Sequence, residues 1–131
     1  MNINVIHKVM AETQEGKLVF PEVVRRLLEI DVESYLCDLA SGTETFYMRD
    51  GQTHAEKMVL PMTPIAEEFS ASGLIAAIRG AQADTIRYPE FAKRSAAAGV
   101  IAYWAFLIGR KVVYFGRKGE SHTEEFSSVK N

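Results

Sequence analysis

Apolar residues recur at helical spacing near the start of the chain, at Ile3, Ile6, Val9 and Met10, and the pattern stops near Gly16. The same spacing returns at Leu74, Ile75 and Ile78 and stops between Gly80 and Asp84. Each predicted helix is followed by an aromatic-Pro-Glu start, Phe20-Pro21-Glu22 and Tyr88-Pro89-Glu90. Proline suits the first helical turn, where its missing N–H costs nothing, and glutamate there opposes the positive end of the helix dipole. The two second helices differ in bulk. Val23, Val24, Leu27 and Leu28 form one stripe, while Phe91, Ser95, Ala96, Ala97 and Ala98 form a mostly small face suited to close packing. Glu22 to Arg26 and Glu90 to Arg94 have the i,i+4 acid-to-base order that supports an exposed helix.

Strand patterns come next. Residues 34–40 and 100–108 read as first hairpin arms that close at Ser41-Gly42 and Gly109-Arg110, with residues 43–49 and 111–116 as their returns. Turns at Asp50-Gly51 and Lys118-Gly119 lead into third strands over 53–60 and 121–126. Each half reads helix, helix, strand, strand, strand. The prediction is a two-layer α+β fold, an antiparallel sheet of about six strands with about four helices packed over it.

The parallel extends to residue identities. Sliding the chain by 68 positions pairs residues 1–63 with 69–131 and gives eleven identities, ten of them within positions 20–56 of the first copy. Chance would supply about four. They include Pro21/Pro89, Val32/Val100, Tyr35/Tyr103, Gly51/Gly119, His54/His122 and Glu56/Glu124. The expectation is an internally duplicated unit, pseudo-repeats 1–63 and 69–131 joined through Pro61-Met62-Thr63-Pro64, within one domain over 1–131, because sixty-odd residues is a marginal size for independent folding. Convergence is the rival, since helix starts and hairpin turns recruit the same residues; similar backbones related by a rotation decide between them.

A two-residue turn at Ser41-Gly42 sets Leu39 opposite Glu44, Cys37 opposite Phe46 and Tyr35 opposite Met48, and makes the Tyr35 side the core face. In the second half that face is Tyr103, Ala105, Leu107, Val112 and Tyr114. The reverse side of the first hairpin is largely polar, with Ser34, Asp38, Thr45 and Arg49 beside Leu36 and Tyr47. That of the second is not: Ala102, Trp104, Phe106, Ile108, Val113 and Phe115 stand there. Such a patch marks a covering element, a partner or a ligand. The covering element would be a helix or residues 126–131; the functional alternatives are a homo-oligomer interface and an apolar ligand pocket at Trp104, Phe106, Phe115, Val113 and Ile108.

Composition narrows the function classes. The 131 residues carry 15 basic and 17 acidic side chains, a net charge of −2 that gives no long-range attraction for phosphate backbones or anionic lipid, so neither nucleic acid nor a membrane is an expected partner. The most apolar run, residues 100–108, is far short of the roughly 20 residues a membrane helix needs. The opening residues mix polar and apolar types without a basic leader, and the expected location is the cytoplasm. A single cysteine, Cys37, excludes an intrachain disulfide and a multi-cysteine metal site.

Candidate chemistry is sparse. His54 and Glu56, and likewise His122 and Glu124, lie two apart on a strand, so each imidazole and carboxylate share a side. Such a pair can orient a histidine for proton transfer or give two metal ligands, but a full metal site needs three or four, and no metal or cofactor is expected. The plainer reading is solvated edge-strand side chains beside a glycine turn. His7 reads as a helix-surface residue and Cys37 as a packed thiol. Neither a Gly-x-Ser-x-Gly elbow nor a phosphate-loop lysine is present.

Phe20-Pro21, Val32, Tyr35, Asp38 and Tyr47, followed by Tyr88, Phe91, Ala96, Ala98-Gly99-Val100, Tyr103, Tyr114, Gly116 and Gly119 before an acidic segment ending in an aromatic, resemble the YbcV-like family of small bacterial and prophage-borne proteins, often labelled phage envelope proteins. The resemblance runs from Phe20 onward and departs at Asp31, where the family tends to have glycine, and after Phe126, where no proline follows. It implies an α+β fold and brings no activity or catalytic residue.

Three functional expectations follow. The first is a non-catalytic accessory protein that self-associates through the aromatic side of its second hairpin. The second is a small-molecule sensor or carrier with a cavity at Trp104, Phe106 and Phe115. The third is an enzyme using the His-x-Glu pairs.

Overall fold

The computed structural model describes residues 1–126. The chain runs α1 (Ile3–Gln14), α2 (Phe20–Leu28), β1 (Val32–Asp38), β2 (Thr43–Met48), β3 (Thr53–Lys57), α3 (Ala71–Gln82), α4 (Tyr88–Ala97), β4 (Val100–Phe106), β5 (Lys111–Gly116) and β6 (Ser121–Glu125). The six strands form one antiparallel sheet in the order β3-β2-β1-β4-β5-β6, and the predicted two-layer α+β architecture is the one observed. The third strands are shorter than predicted, since Met58 to Leu60 leave the sheet.

The halves match at the offset of 68 in detail. Tyr35 pairs with Phe46 and Tyr103 with Tyr114; Glu44 pairs with Glu56 and Val112 with Glu124; a bulge interrupts Val32 to Ser34 in β1 and Val100 to Ala102 in β4. The left-handed backbone positions recur too, as Gly16/Asp84, Asp31/Gly99, Gly42/Arg110 and Gly51/Gly119. Between the halves, β1 and β4 pair about Leu36 and Trp104, which are themselves counterparts at this offset. A two-fold rotation through that pair, normal to the sheet, therefore exchanges the two halves.

The hairpin register corrects the sequence reading. Tyr35 faces Phe46 and Cys37 faces Glu44, two residues away from the predicted pairing, because the loop has four residues. The Asp38 carboxylate accepts from the Ala40 and Ser41 N–H groups at 3.0 Å each, and Gly42, at φ 73°, donates to the Asp38 carbonyl at 2.9 Å. This side-chain turn competes with a tighter one. A slip of two preserves the faces, so Tyr35, Tyr103, Ala105, Leu107, Val112 and Tyr114 are all buried as predicted. One helix pair also differs. Glu22 accepts from the Val19 N–H at 3.3 Å and Arg26 reaches Glu12 at 2.9 Å, so Glu22 and Arg26 do not pair, whereas Glu90 and Arg94 do at 2.8 Å.

Ile6, Val9 and Met10 of α1, Val23 and Leu27 of α2, Leu74, Ala77 and Ile78 of α3, and Phe91 of α4 join the Tyr35 face in one core. Between the halves, the buried Gln14 side chain accepts from the Val59 and Leu60 N–H groups at 2.7 and 3.2 Å and pins the start of the connection. No helix among the described residues is long and apolar enough to cross a membrane.

Candidate functional site

Helices and sheet do not close completely. A cavity of about 670 Å³ lies between them, floored by Tyr35, Glu44, Phe46, Tyr103, Val112 and Tyr114 and walled by α1, α2, α3 and α4. Volumes of this order accommodate small organic ligands. Its lining contains both members of several counterpart pairs, among them Tyr35/Tyr103, Phe46/Tyr114 and Glu44/Val112, so it straddles the two-fold axis. Exposed Phe20, Pro21, Gln82, Asp84, Arg87 and Glu125 stand at its outer end.

The aromatic floor is continuous. Ring centroids lie 5.6 Å apart for Tyr35 and Phe46, 6.5 Å for Tyr35 and Tyr103, and 5.5 Å for Tyr103 and Tyr114; Phe91 closes the group at 6.3 Å from both Tyr103 and Tyr114. The Tyr103 hydroxyl donates to that of Tyr88 at 2.8 Å, and Cys37 Sγ lies 3.4 Å from the same Tyr88 oxygen. Burial pushes the pKa values of the Tyr35, Tyr88 and Tyr103 hydroxyls well above the usual phenol value and pushes that of the Cys37 thiol up as well. Cys37 is thus a packed thiol held in its protonated form.

Glu44 is the anomaly of the floor. It is 7% exposed, and among the described residues its carboxyl has neither a counter-ion nor a hydrogen-bond donor. Burial, with a smaller contribution from the adjacent Glu56 carboxylate, pushes it up to about 7. A buried carboxyl beside a cavity, without a partner in its own chain, has the character of a functional group and not of a stabilising one.

The two His-x-Glu pairs do form. His54 Nε2 lies 2.9 Å from Glu56 and His122 Nε2 lies 3.3 Å from Glu124. They occupy opposite edges of the sheet with four strands between them, so symmetry holds them apart. Each has a different third party. His7 Nδ1 lies 3.1 Å from Glu56, whereas Glu124 accepts from Arg79 at 2.6 Å and from Gln82 at 3.4 Å. Burial pushes Glu124 up, but the hydrogen bonds from Arg79 and His122 outweigh it and hold the carboxyl below its ordinary value. Glu124 is also a wall of the cavity. Among the described residues no group of three or more His, Cys, Asp or Glu side chains is placed to hold a metal ion.

A family model described as Protein of unknown function (DUF1398) matches residues 7–125. The chain belongs to the DUF1398 family. No curated protein matches it.

The predicted apolar patch of this DUF1398 chain lies on the sheet face opposite the helices and does not line the cavity. There Tyr47, Trp104 and Phe106 stack in a column, with centroids 5.4 Å apart at each step. Trp104, Phe106, Val113 and Phe115 are half-buried; Ile108, at the hairpin loop, is 53% exposed. The suggestion that the C-terminal tail covers this face falls largely on residues 127–131, outside the described residues. Sequence reasoning placed the floor tyrosines and Glu44 on the core face but did not single them out as a site. The signal that was present is the carboxylate itself, two residues before Phe46 on a face otherwise apolar.

Proposed function

We propose that this chain is a cytoplasmic, non-catalytic binding protein for a small organic molecule, held in the cavity between helices and sheet. Its two halves are read as duplicated copies of one unit that share this site. The observation carrying the proposal is the unpartnered Glu44 carboxyl on the floor of an aromatic cavity of about 670 Å³. Trp104 lies on the opposite face and is not the reporter of such a ligand, so thermal unfolding is the better measurement. A ligand at a hundredfold excess over its Kd stabilises the fold by about 2.7 kcal/mol, which raises the Tm by several degrees. Some member of a library of small aromatic and amine-bearing compounds should do so. Val112→Trp, which sets an indole in the cavity, should remove the shift and keep a cooperative melt. A library without any stabilising compound would sink the proposal.

A second reading concerns the other face. The stacked column through Trp104, with Phe115, Val113 and exposed Ile108 beside it, is an apolar surface on the side the helices leave open, and it suits a second copy of this chain. Sedimentation should show a dimer that Trp104→Asp dissociates without unfolding the subunit; a monomer at all concentrations refutes this reading.

A further inference from the structure

The charges around the cavity go further and indicate the class of ligand, an inference that rests on the cavity being a binding site. Its acidic walls are Glu44, Asp84, Glu124 and Glu125, and its basic ones Arg79 and Arg87. Toward the mouth the charges answer one another. Arg79 bonds to Glu124 at 2.6 Å, and Arg87 to Asp84 at 2.6 and 3.2 Å. Both arginines are therefore already engaged by carboxylates. At the floor the situation differs, because Glu44 faces Cys37 and Glu56 across the neighbouring strands, and neither supplies positive charge. Tyr35, Tyr88 and Tyr103 lie close enough for its charge to disfavour their ionisation.

An anionic ligand entering this floor meets a carboxyl and no cation. A neutral apolar ligand leaves that carboxyl buried and unanswered. A cation meets a counter-ion together with aromatic rings, whose faces attract positive charge and do so most strongly away from water. We propose that the cavity takes an organic cation, an ammonium group carried on an apolar body, with Glu44 as its counter-ion and Tyr35, Tyr88 and Tyr103 as its aromatic surround.

The full chain is titrated calorimetrically with three probes of similar size: benzyltrimethylammonium, its uncharged carbon isostere neopentylbenzene, and phenylacetate. The cation should bind at least about tenfold more tightly than the isostere, which is the size of preference a desolvated cation–ring and ion-pair contact supports. Glu44→Gln should abolish that preference, and Glu44→Asp, which keeps the charge, should retain most of it. Thermal melts establish that each variant is folded. Equal or tighter binding of the isostere or of phenylacetate overturns the cation inference and leaves the cavity reading standing, as does a cation preference that persists in Glu44→Gln. Failure of all three probes to bind overturns both.

Discussion

Leu36 and Trp104 face one another across the central β1–β4 pair, and each is the other's counterpart in the opposite half of the chain. The position on the two-fold axis is thus filled by a medium aliphatic side chain from one half and the largest aromatic from the other. Only the indole is stacked, between Tyr47 and Phe106. Aromatic pairs are worth about 0.5–1.5 kcal/mol beyond their area, so Trp104→Ala should cost roughly 2–4 kcal/mol and Leu36→Ala about 1–2. Urea denaturation of the two variants checks this; equal losses would mean that the stack adds nothing.

Glu44 makes stability depend on pH with a definite sign. Its folded value, about 7, lies above the ordinary 4.5, so the folded state holds the proton more tightly than the unfolded chain. The resulting stabilisation is fully present below about pH 4.5, declines as pH rises through 7, and is absent above it; the span is on the order of 3 kcal/mol. The ionisable groups around Glu44 are Tyr35 and Cys37 on β1, Glu56 with its partners His54 and His7, Tyr88 on α4 and Tyr103 on β4. Denaturant titrations between pH 4.5 and 8 should show this decline in the unliganded protein and a much flatter curve in Glu44→Gln. Parallel curves would show that Glu44 is not the titrating group.

Gln14 and Gln82 are counterparts with different work. Gln14 is buried and accepts from two backbone N–H groups of the connection, while Gln82 is exposed and bonds to Arg79 and Glu124. Leaving buried donors unanswered costs about 1–3 kcal/mol, whereas loss of a surface contact falls within about 0.5 kcal/mol. Gln14→Ala should therefore destabilise and speed hydrogen exchange at the Val59 and Leu60 amides; Gln82→Ala should leave both unchanged.

Gly99 and Gly51 both have left-handed backbones, but only Gly99 lacks room for a side chain. A Cβ at Gly99 would collide with the Glu68 carbonyl, while one at Gly51 meets nothing within 4 Å. Gly51→Ala should cost about 1–2 kcal/mol from conformation alone, and Gly99→Ala distinctly more. Equal thermal shifts would show that the 68–69 segment moves aside at no cost.

The fold was legible because its signals are local. Pro21 and Pro89 mark helix starts, the glycines mark turns, and alternation separates the two faces of each hairpin. The exact pairing was not legible, since Asp38 folds back on Ala40 and Ser41 and lengthens the loop while leaving every face unchanged. The cavity was hidden for a different reason. Tyr35, Phe46, Tyr103 and Tyr114 have the same pattern whether they pack against helices or floor a gap. The difference depends on how far α1 to α4 stand from the sheet, which no local spacing encodes. Likewise, the sequence placed His54 with Glu56 and His122 with Glu124, but the distinct third partners His7 and Arg79 come from helices remote in the chain.

A chamber lying on a two-fold axis ordinarily offers its guest two equivalent poses, related by a half-turn. Here that degeneracy is broken most sharply on the floor, because Glu44 in one half corresponds to Val112 in the other and both line the same chamber; at the walls Val19 and its counterpart Arg87 differ in the same way. A guest with one polar end and one apolar end therefore finds a polar pole and an apolar pole, and is oriented by the protein. Restoring equivalence with Val112→Glu would crowd two carboxyls into one enclosed space; Glu44→Val would leave none. The chamber gains direction because the two halves have diverged, and on its floor this position carries that divergence.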